Sequence, residues 1–258
     1  MNFDLSEEQQ LLKDSVERFV NDNYDLDTRQ SLSKNPAGFS DTYWQTMAEL
    51  GWLGVTVPEA QGGFGGNQAD TMVLMEAFGK GLVLEPFFAS AILGTRAIVA
   101  GGSSELQAKL LPDMVSGSCR LGLAYAEEQS RFDLEDVITR ATAQDSGFVI
   151  TGQKSMVQHG GSADQLVVST RTSGGQRDAN GITLFLVDTK ADGVTVDSFP
   201  TVDGQQASEV TFENVYVSAE NRLGELDQGF ALLQEIAIDG ILALAAEAVG
   251  AMEILYKD

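Results

Sequence analysis

The hydrophobic period of this chain changes twice, and that limits the folds open to it more than any other feature of the sequence. Up to about residue 120 the apolar residues recur at helical spacing. Leu12, Val16, Phe19 and Val20 share one face, preceded by Ser6 and Gln9 in a capping-box pattern. Trp44, Met47 and Leu50 are spaced by three within 39–51, and further helices are expected over 71–79, 89–99 and 105–115. Residues 55–58 read as a short extended piece, and the glycine-rich 62–66 as a loop. From about Leu121 the pattern becomes β-like. Residues 139–143 and 148–151 flank Asp145-Ser146-Gly147 as a hairpin, and 166–170, 182–187, 194–199 and 210–217 are further β-rich runs. At Gly229 the pattern returns to helix.

The expectation is a multidomain α and β fold. An N-terminal all-α domain spans 1–120, a middle antiparallel β-barrel or sandwich 121–229, and a last helix 230–258. That helix is apolar, carries small residues at Gly240, Ala243, Ala246, Gly250 and Ala251, and has no capping glycine or proline after it. It therefore reads as the opening of a truncated C-terminal helical bundle, covered by further chain or by another subunit, with association through 230–256. Its Glu235, Asp239, Glu247 and Glu253 argue against a membrane span.

A formal charge of -22, from 16 basic and 38 acidic side chains, repels phosphate backbones and argues against nucleic-acid binding. The single cysteine, Cys119, excludes an internal disulfide. The opening Met1-Asn2-Phe3-Asp4 has neither the basic start nor the apolar run of a secretory signal, so a cytoplasmic location is expected. One histidine, His159 beside Gly160-Gly161, reads as a loop or packing residue and leaves no basis for a zinc site or a serine triad. No phosphate-loop or dinucleotide-binding glycine motif is present. The acid pairs Glu127-Glu128 and Glu135-Asp136 are expected to face solvent. What remains is chemistry supplied by a bound cofactor, which spacing alone does not identify.

Several segments, in order, then resemble one family. Gly51-Trp52-Leu53-Gly54-Val55-Thr56-Val57-Pro58-Glu59 running to Gly62-Gly63-Phe64-Gly65 is similar to a loop of the N-terminal domain of acyl-CoA dehydrogenases. Residues 3–10 resemble their opening helix, and Glu105 to Pro112 followed by Gly117 resembles the helix that leads into their β domain. Gly152-Gln153-Lys154 followed by Gly160 resembles their flavin segment. The resemblance covers the whole chain and looks closest to the small subunit of a two-subunit, pimeloyl-CoA dehydrogenase-like enzyme; related two-subunit enzymes act on steroid side-chain thioesters.

The resemblance implies an oxidoreductase that binds FAD and dehydrogenates an acyl-CoA thioester between its α and β carbons. A carboxylate takes the α proton and the β hydride passes to the flavin. It further implies a homologous subunit, in a homo- or heterotetramer, and an electron-transfer flavoprotein as acceptor. The cofactor-binding positions fall on Tyr125, Ala126, Glu127, Phe132, Met156, Val157 and Gln158. Ala126 stands where the family has a flavin-bonding threonine, and Phe132 where a serine meets cofactor and substrate. Met156 replaces a tryptophan and Gln158 a threonine. The substrate positions fall on Phe132 and on Ile238, Asp239, Gly240 and Ile241, without the family's arginine. Gly240 occupies one position of the family's glutamate base; the other lies beyond Asp258, so no base within the chain is named. Three readings stay open: an active FAD-dependent subunit, a non-catalytic or flavin-deficient scaffold subunit of a heteromeric enzyme, and a ligand-binding β-barrel protein without redox chemistry. A dicarboxylic acyl group and a steroid side chain are both open as substrates, and poor FAD retention by these residues alone is expected.

Overall fold

The computed structural model describes residues 4–257. The readings placed on Met1, Asn2, Phe3 and Asp258 lie outside the described residues. Helix α1 (Glu7–Asn23) begins at the expected capping box: Ser6 Oγ accepts from Gln9 N at 3.2 Å, and Gln9 Oε1 accepts from Ser6 N at 3.1 Å. Val16, Phe19 and Val20 are buried, so the expected face is the inward one. Helix α2 (Leu26–Ser33), capped by Asp25, buries no residue and left no hydrophobic signal to read. In α3 (Asp41–Glu49) Trp44 and Met47 are buried, and Trp44 Nε1 donates to Gly117 O at 2.9 Å. Leu50 is 48% exposed because the helix has ended before it.

Residues 55–58 are not extended. They form turns between two 3₁₀ segments, Trp52–Gly54 and Glu59–Gln61, and the glycine loop folds back onto them. Gly65 N donates to Val57 O and Gly66 N to Val55 O, both at 2.8 Å. A Cβ on Gly63 would lie 2.1 Å from Val57 O, so the close approach of two backbones explains that glycine. Helix α4 (Gln68–Gly81) follows. A wide π-type helical stretch (Phe87–Gly94) then runs into α5 (Thr95–Gly101), and α6 (Ser104–Val115) ends the helical part.

The β part comprises β1 (Leu121–Ala124), β2 (Arg140–Gln144), β3 (Gly147–Gln158), β4 (Gln165–Arg171), β5 (Ile182–Asp188), β6 (Val194–Pro200), β7 (Gln206–Ser218) and β8 (Arg222–Leu223). The hairpin lies where expected, with Arg140↔Thr151 through Gln144↔Gly147 paired across Asp145-Ser146. The sheet differs from the expected antiparallel barrel in two ways. Its order is β6-β7-β3-β2-β4-β5-β8, and among the described residues no ladder joins β6 to β8, so it is not closed. It is also mixed, because β1 pairs in parallel with β4. β1 is reached from α6 rather than through a hairpin with β4, so no tight turn forces it antiparallel. The sheet still curls around its own core. Phe148 of β3 and Phe185 of β5, not neighbours in the ladder, meet with ring centroids 4.8 Å apart, and Ile150, Val157, Leu166, Val210 and Phe212 fill the space with them.

Helix α7 (Gly229–Lys257) is long and apolar enough, by length and composition, to cross a membrane. Its small residues bring it against α4. A Cβ on Gly250 would lie 1.9 Å from Glu76 O, and one on Gly79 would lie 2.0 Å from Glu247 O. The two backbones are in near contact at both points, with Lys80 Nζ bridging to Glu253 at 2.8 Å and to Glu17 at 2.7 Å. Ile238, Ile241, Val249, Met252 and Leu255 lie on the other side, each at least half exposed.

Candidate functional site

Two segments far apart in sequence are joined by a short clasp. Ser155 N donates to Ala126 O at 2.9 Å, which seats 125–133 beside the end of β3. Behind the clasp lies a buried ion pair. Lys154 Nζ stands 2.7 Å from Glu127 Oε1 and also donates to Ser169 Oγ at 2.9 Å and to Tyr125 O at 3.2 Å. Glu127 accepts in addition from Ile138 N at 2.9 Å, Thr139 N at 3.1 Å and Gln129 Nε2 at 2.9 Å. Burial raises the Glu127 pKa, but the Lys154 ammonium and these donors outweigh it and hold the carboxyl below its usual value. Burial draws the Lys154 ammonium down to about 8 against the pull of Glu127.

The acid pairs expected to face solvent therefore do so only in part. Glu127 and Asp136 are both buried, Glu135 is half-buried and Glu128 is exposed. Each buried acid has a cation: Lys154 for Glu127, and Arg177, 2.8 Å away, for Asp136. Gln176 Nε2 also donates to Asp136 at 2.6 Å. Local spacing cannot show such partners, which lie 27 and 41 residues away. The Glu127 carboxylate thus points into the fold as a structural anchor.

The ladder between β3 and β7 slips between Lys154 and Val157. Met156 sits at this bulge with φ 54 and is 53% exposed, while Val157 is turned into the β core and Gln158 is exposed. Tyr125 is 36% exposed, Ala126 is half-buried, and Phe132 projects into solvent at 96% exposed. On this side of the fold the bulge presents Met156 as a soft apolar surface and Gln158 as an amide that both donates and accepts, groups compatible with a flavin ring. Ala126 adds no hydroxyl.

Gln158 has a second role in the geometry. It lines a cavity of about 130 Å³ where α4, the Phe87–Gly94 stretch, α7 and the end of β3 converge. Met75, Phe78, Phe88 and Leu244 supply apolar walls, and His159, Glu85 and Glu247 supply polar ones. Glu85 is fully buried; burial raises its pKa, and its carboxylate accepts from Tyr24 OH and, at 3.2 Å, from Ser40 N. His159 is buried, edge-on to Phe39 at 5.9 Å, and neither ring nitrogen has a hydrogen-bond partner among the described residues. Burial pulls its pKa down to about 4, which the Gln205 side chain and the Asp203 carboxylate offset only in part. His159 is thus a packing residue, as its sequence setting suggests, with both ring nitrogens closed off from the cavity that the residue helps to line.

The α7 positions divide. Asp239 is held by Arg96 Nε at 3.1 Å and by Gln68 Nε2 at 3.2 Å. Gly240 is buried, and a Cβ there would meet Leu93 Cδ2 at 2.9 Å and Phe88 Cζ at 3.4 Å. Ile238 and Ile241 are 57% and 66% exposed. Gly240 therefore backs onto Phe88, which also lines the cavity. Sequence reasoning missed the cavity residues Phe88, Leu244 and Glu247; the only signal was that Gly240, Leu244 and Glu247 recur at helical spacing on an otherwise apolar helix.

Comparison with known proteins gives concordant results. The family model described as acyl-CoA dehydrogenase, N-terminal domain, matches residues 6–118, and that described as acyl-CoA dehydrogenase, middle domain, matches 122–215. The (2S)-methylsuccinyl-CoA dehydrogenase of Cereibacter sphaeroides is 29% identical over 225 residues, 80% of this chain and 40% of that protein. The chain spans 55 to 67% of the length of seven further curated relatives. Among solved structures, the FAD complex of PigA superposes with a TM-score of 0.87 at 26% identity, covering 100% of this chain and 68% of that one. The ChsE4-ChsE5 complex from Mycobacterium tuberculosis has the same fold, with a TM-score of 0.80 at 23% identity over 93% of this chain and 61% of that one.

Proposed function

Because this chain belongs to the acyl-CoA dehydrogenase family, we propose that it serves as a subunit of an FAD-dependent enzyme that dehydrogenates an acyl-CoA thioester between its α and β carbons. One observation carries the reading. Gln158 stands two residues from the Met156 bulge and also lines the cavity under α7, so a flavin wall and an acyl pocket adjoin. Met156 and Gln158 would hold the flavin, which when bound supplies the hydride acceptor. Phe88 and Leu244 would exclude water around the acyl chain and orient it. The Glu127–Lys154 pair would fix the clasp that sets the distance between the two segments.

A base for the α proton is assigned to no residue of this chain. Gly240 has no side chain, and Asp239 is engaged by Arg96 and Gln68. The base would then come from outside these residues, from further chain or from another subunit, and the likeness to a two-component complex supports an assembly. The same observations, with the missing hydroxyl at Ala126, favour a second reading: a flavin-deficient subunit that completes its partner's site. In either case the enzyme works in the cytoplasm and passes electrons to an electron-transfer flavoprotein.

Purification with its homologous subunits tests both readings. The first expects the visible absorbance of oxidised flavin, bleached on adding acyl-CoA thioesters. The second expects a colourless chain whose removal abolishes its partner's turnover. A flavin-loaded assembly that no acyl-CoA bleaches overturns the proposal.

A further inference from the structure

The protons of the Lys154 ammonium go to Glu127 Oε1, to Ser169 Oγ and to Tyr125 O, and Ser169 Oγ in turn donates to the same Tyr125 carbonyl at 3.4 Å. Lys154 and Ser169 are both fully buried, so the Tyr125 carbonyl faces the inside of the fold. The peptide bond from Tyr125 to Ala126 is trans and planar. Its N–H therefore points the opposite way from its C=O, away from Lys154 and the β core. Among the described residues that N–H donates to no acceptor. The groups around it are all engaged: Ala126 O accepts from Ser155 N, and Glu127 N donates to Ser130 Oγ at 2.9 Å. One peptide unit thus carries a buried cation on its oxygen and a free donor on its other side. A cation on the carbonyl draws electron density from the nitrogen, and hydrogen bonds linked in this way strengthen one another by about 10–30% per bond in a low-dielectric interior.

Resting on the reading above that places a flavin against this wall, we propose that Lys154 is a positioning residue for the cofactor: held on Tyr125 O, it polarises the shared peptide bond and makes Ala126 N–H a strong donor to an acceptor atom of the flavin ring. The contact is then made by the backbone, which is why an alanine without a hydroxyl can stand at 126. Ser169 already supplies the carbonyl with a neutral donor, so what Lys154 adds is charge. Two charged groups act on it. Glu127, from the segment after β1, favours the ammonium, and Arg171, at the end of β4, disfavours it; with burial they leave its pKa at about 8, so the cation is present at neutral pH and is lost just above it.

Tyr125-Ala126 is the only Tyr-Ala step in the sequence, so this one peptide bond can be observed by itself. With carbonyl carbon-13 tyrosine and nitrogen-15 alanine in this chain alone, and the chain in its native assembly, a single amide proton correlates with both labels in a nuclear magnetic resonance spectrum. As pH rises through about 8 the Tyr125 carbonyl resonance should move upfield in one step, and equilibrium dialysis should show FAD affinity falling by about threefold over the same step. Below that pH, adding FAD should move the Ala126 amide proton downfield. Lys154→Met should hold the carbonyl at its high-pH position throughout; if that variant does not fold, the wild-type titration decides alone. A carbonyl step with no change in FAD affinity, or an Ala126 proton indifferent to bound FAD, makes Lys154 an anchor only and overturns this proposal by itself. An assembly that binds no FAD overturns the flavin reading with it.

Discussion

Lys154 Nζ lies 2.7 Å from Glu127 Oε1, and neither side chain is more than 1% exposed. A pair this deep is costly to desolvate, yet removing one member costs more, because it strands a buried charge. Lys154→Met is expected to destabilise the protein by about 3–5 kcal/mol. Adding Glu127→Gln removes the stranded charge but keeps one acceptor oxygen, for Ile138 N or Thr139 N and not both, so it should recover only part of that loss. Urea unfolding followed by circular dichroism measures both; losses that simply add would mean the two groups are not coupled.

Gly250 and Gly240 lie on the same helix but should respond differently to alanine. Helix propensity alone favours alanine over glycine by about 1 kcal/mol. At Gly250 the added Cβ meets backbone, Glu76 O at 1.9 Å, and the α4–α7 contact must open; overpacking of this kind costs about 1–3 kcal/mol, so a net loss is expected. At Gly240 the nearest atom is the far end of the Leu93 side chain at 2.9 Å, which can give more cheaply than backbone, so a change within about 0.5 kcal/mol is expected. A stabilised Gly250→Ala variant would show that the helices are not locked by backbone contact.

The residues that announced themselves in the sequence are those whose role is local. Ser6 and Gln9 capped α1 as their spacing required, and Asp145-Ser146 turned the hairpin. What stayed hidden depended on partners distant in the chain. The β6–β8 gap and the parallel β1–β4 pair are relations between strands that no period encodes. Glu127 and Asp136 looked like surface acids because Lys154 and Arg177 lie far along the chain. His159 was legible as a packing residue, but its partner was not: the edge contact with Phe39 forms only where the helical part packs against the β part.

Acidification should expose His159. Its pKa falls from 6.5 to about 4 in the folded protein because burial disfavours the imidazolium. Between those values the unfolded chain binds a proton that the native one refuses, so this group's contribution falls as pH drops from above 6.5 towards 4, by up to about 3 kcal/mol. Glu85 and Glu247, whose pKa values burial raises, face the same cavity and act in the opposite sense. Thermal unfolding of wild type and His159→Phe across this range separates the effects, since the acids are common to both. The variant should lose less stability on acidification; parallel curves would mean the imidazole titrates normally.

The flavin wall can be tested at Ala126, whose carbonyl accepts the clasp bond from Ser155 N at 2.9 Å and whose half-buried methyl leaves that wall without a hydroxyl. Threonine adds one there without disturbing the backbone bond. If a flavin edge lies against this segment, Ala126→Thr should tighten FAD retention by the native assembly about fivefold, the worth of one net hydrogen bond of about 1 kcal/mol. Valine has nearly the same shape and no hydroxyl, so Ala126→Val isolates the bond from the packing. Equilibrium dialysis of FAD against the three proteins reads the result. Threonine tighter than valine places the cofactor against Ala126; threonine and valine alike, or threonine no better than alanine, removes the flavin from this wall and leaves the flavin-deficient subunit as the reading that survives.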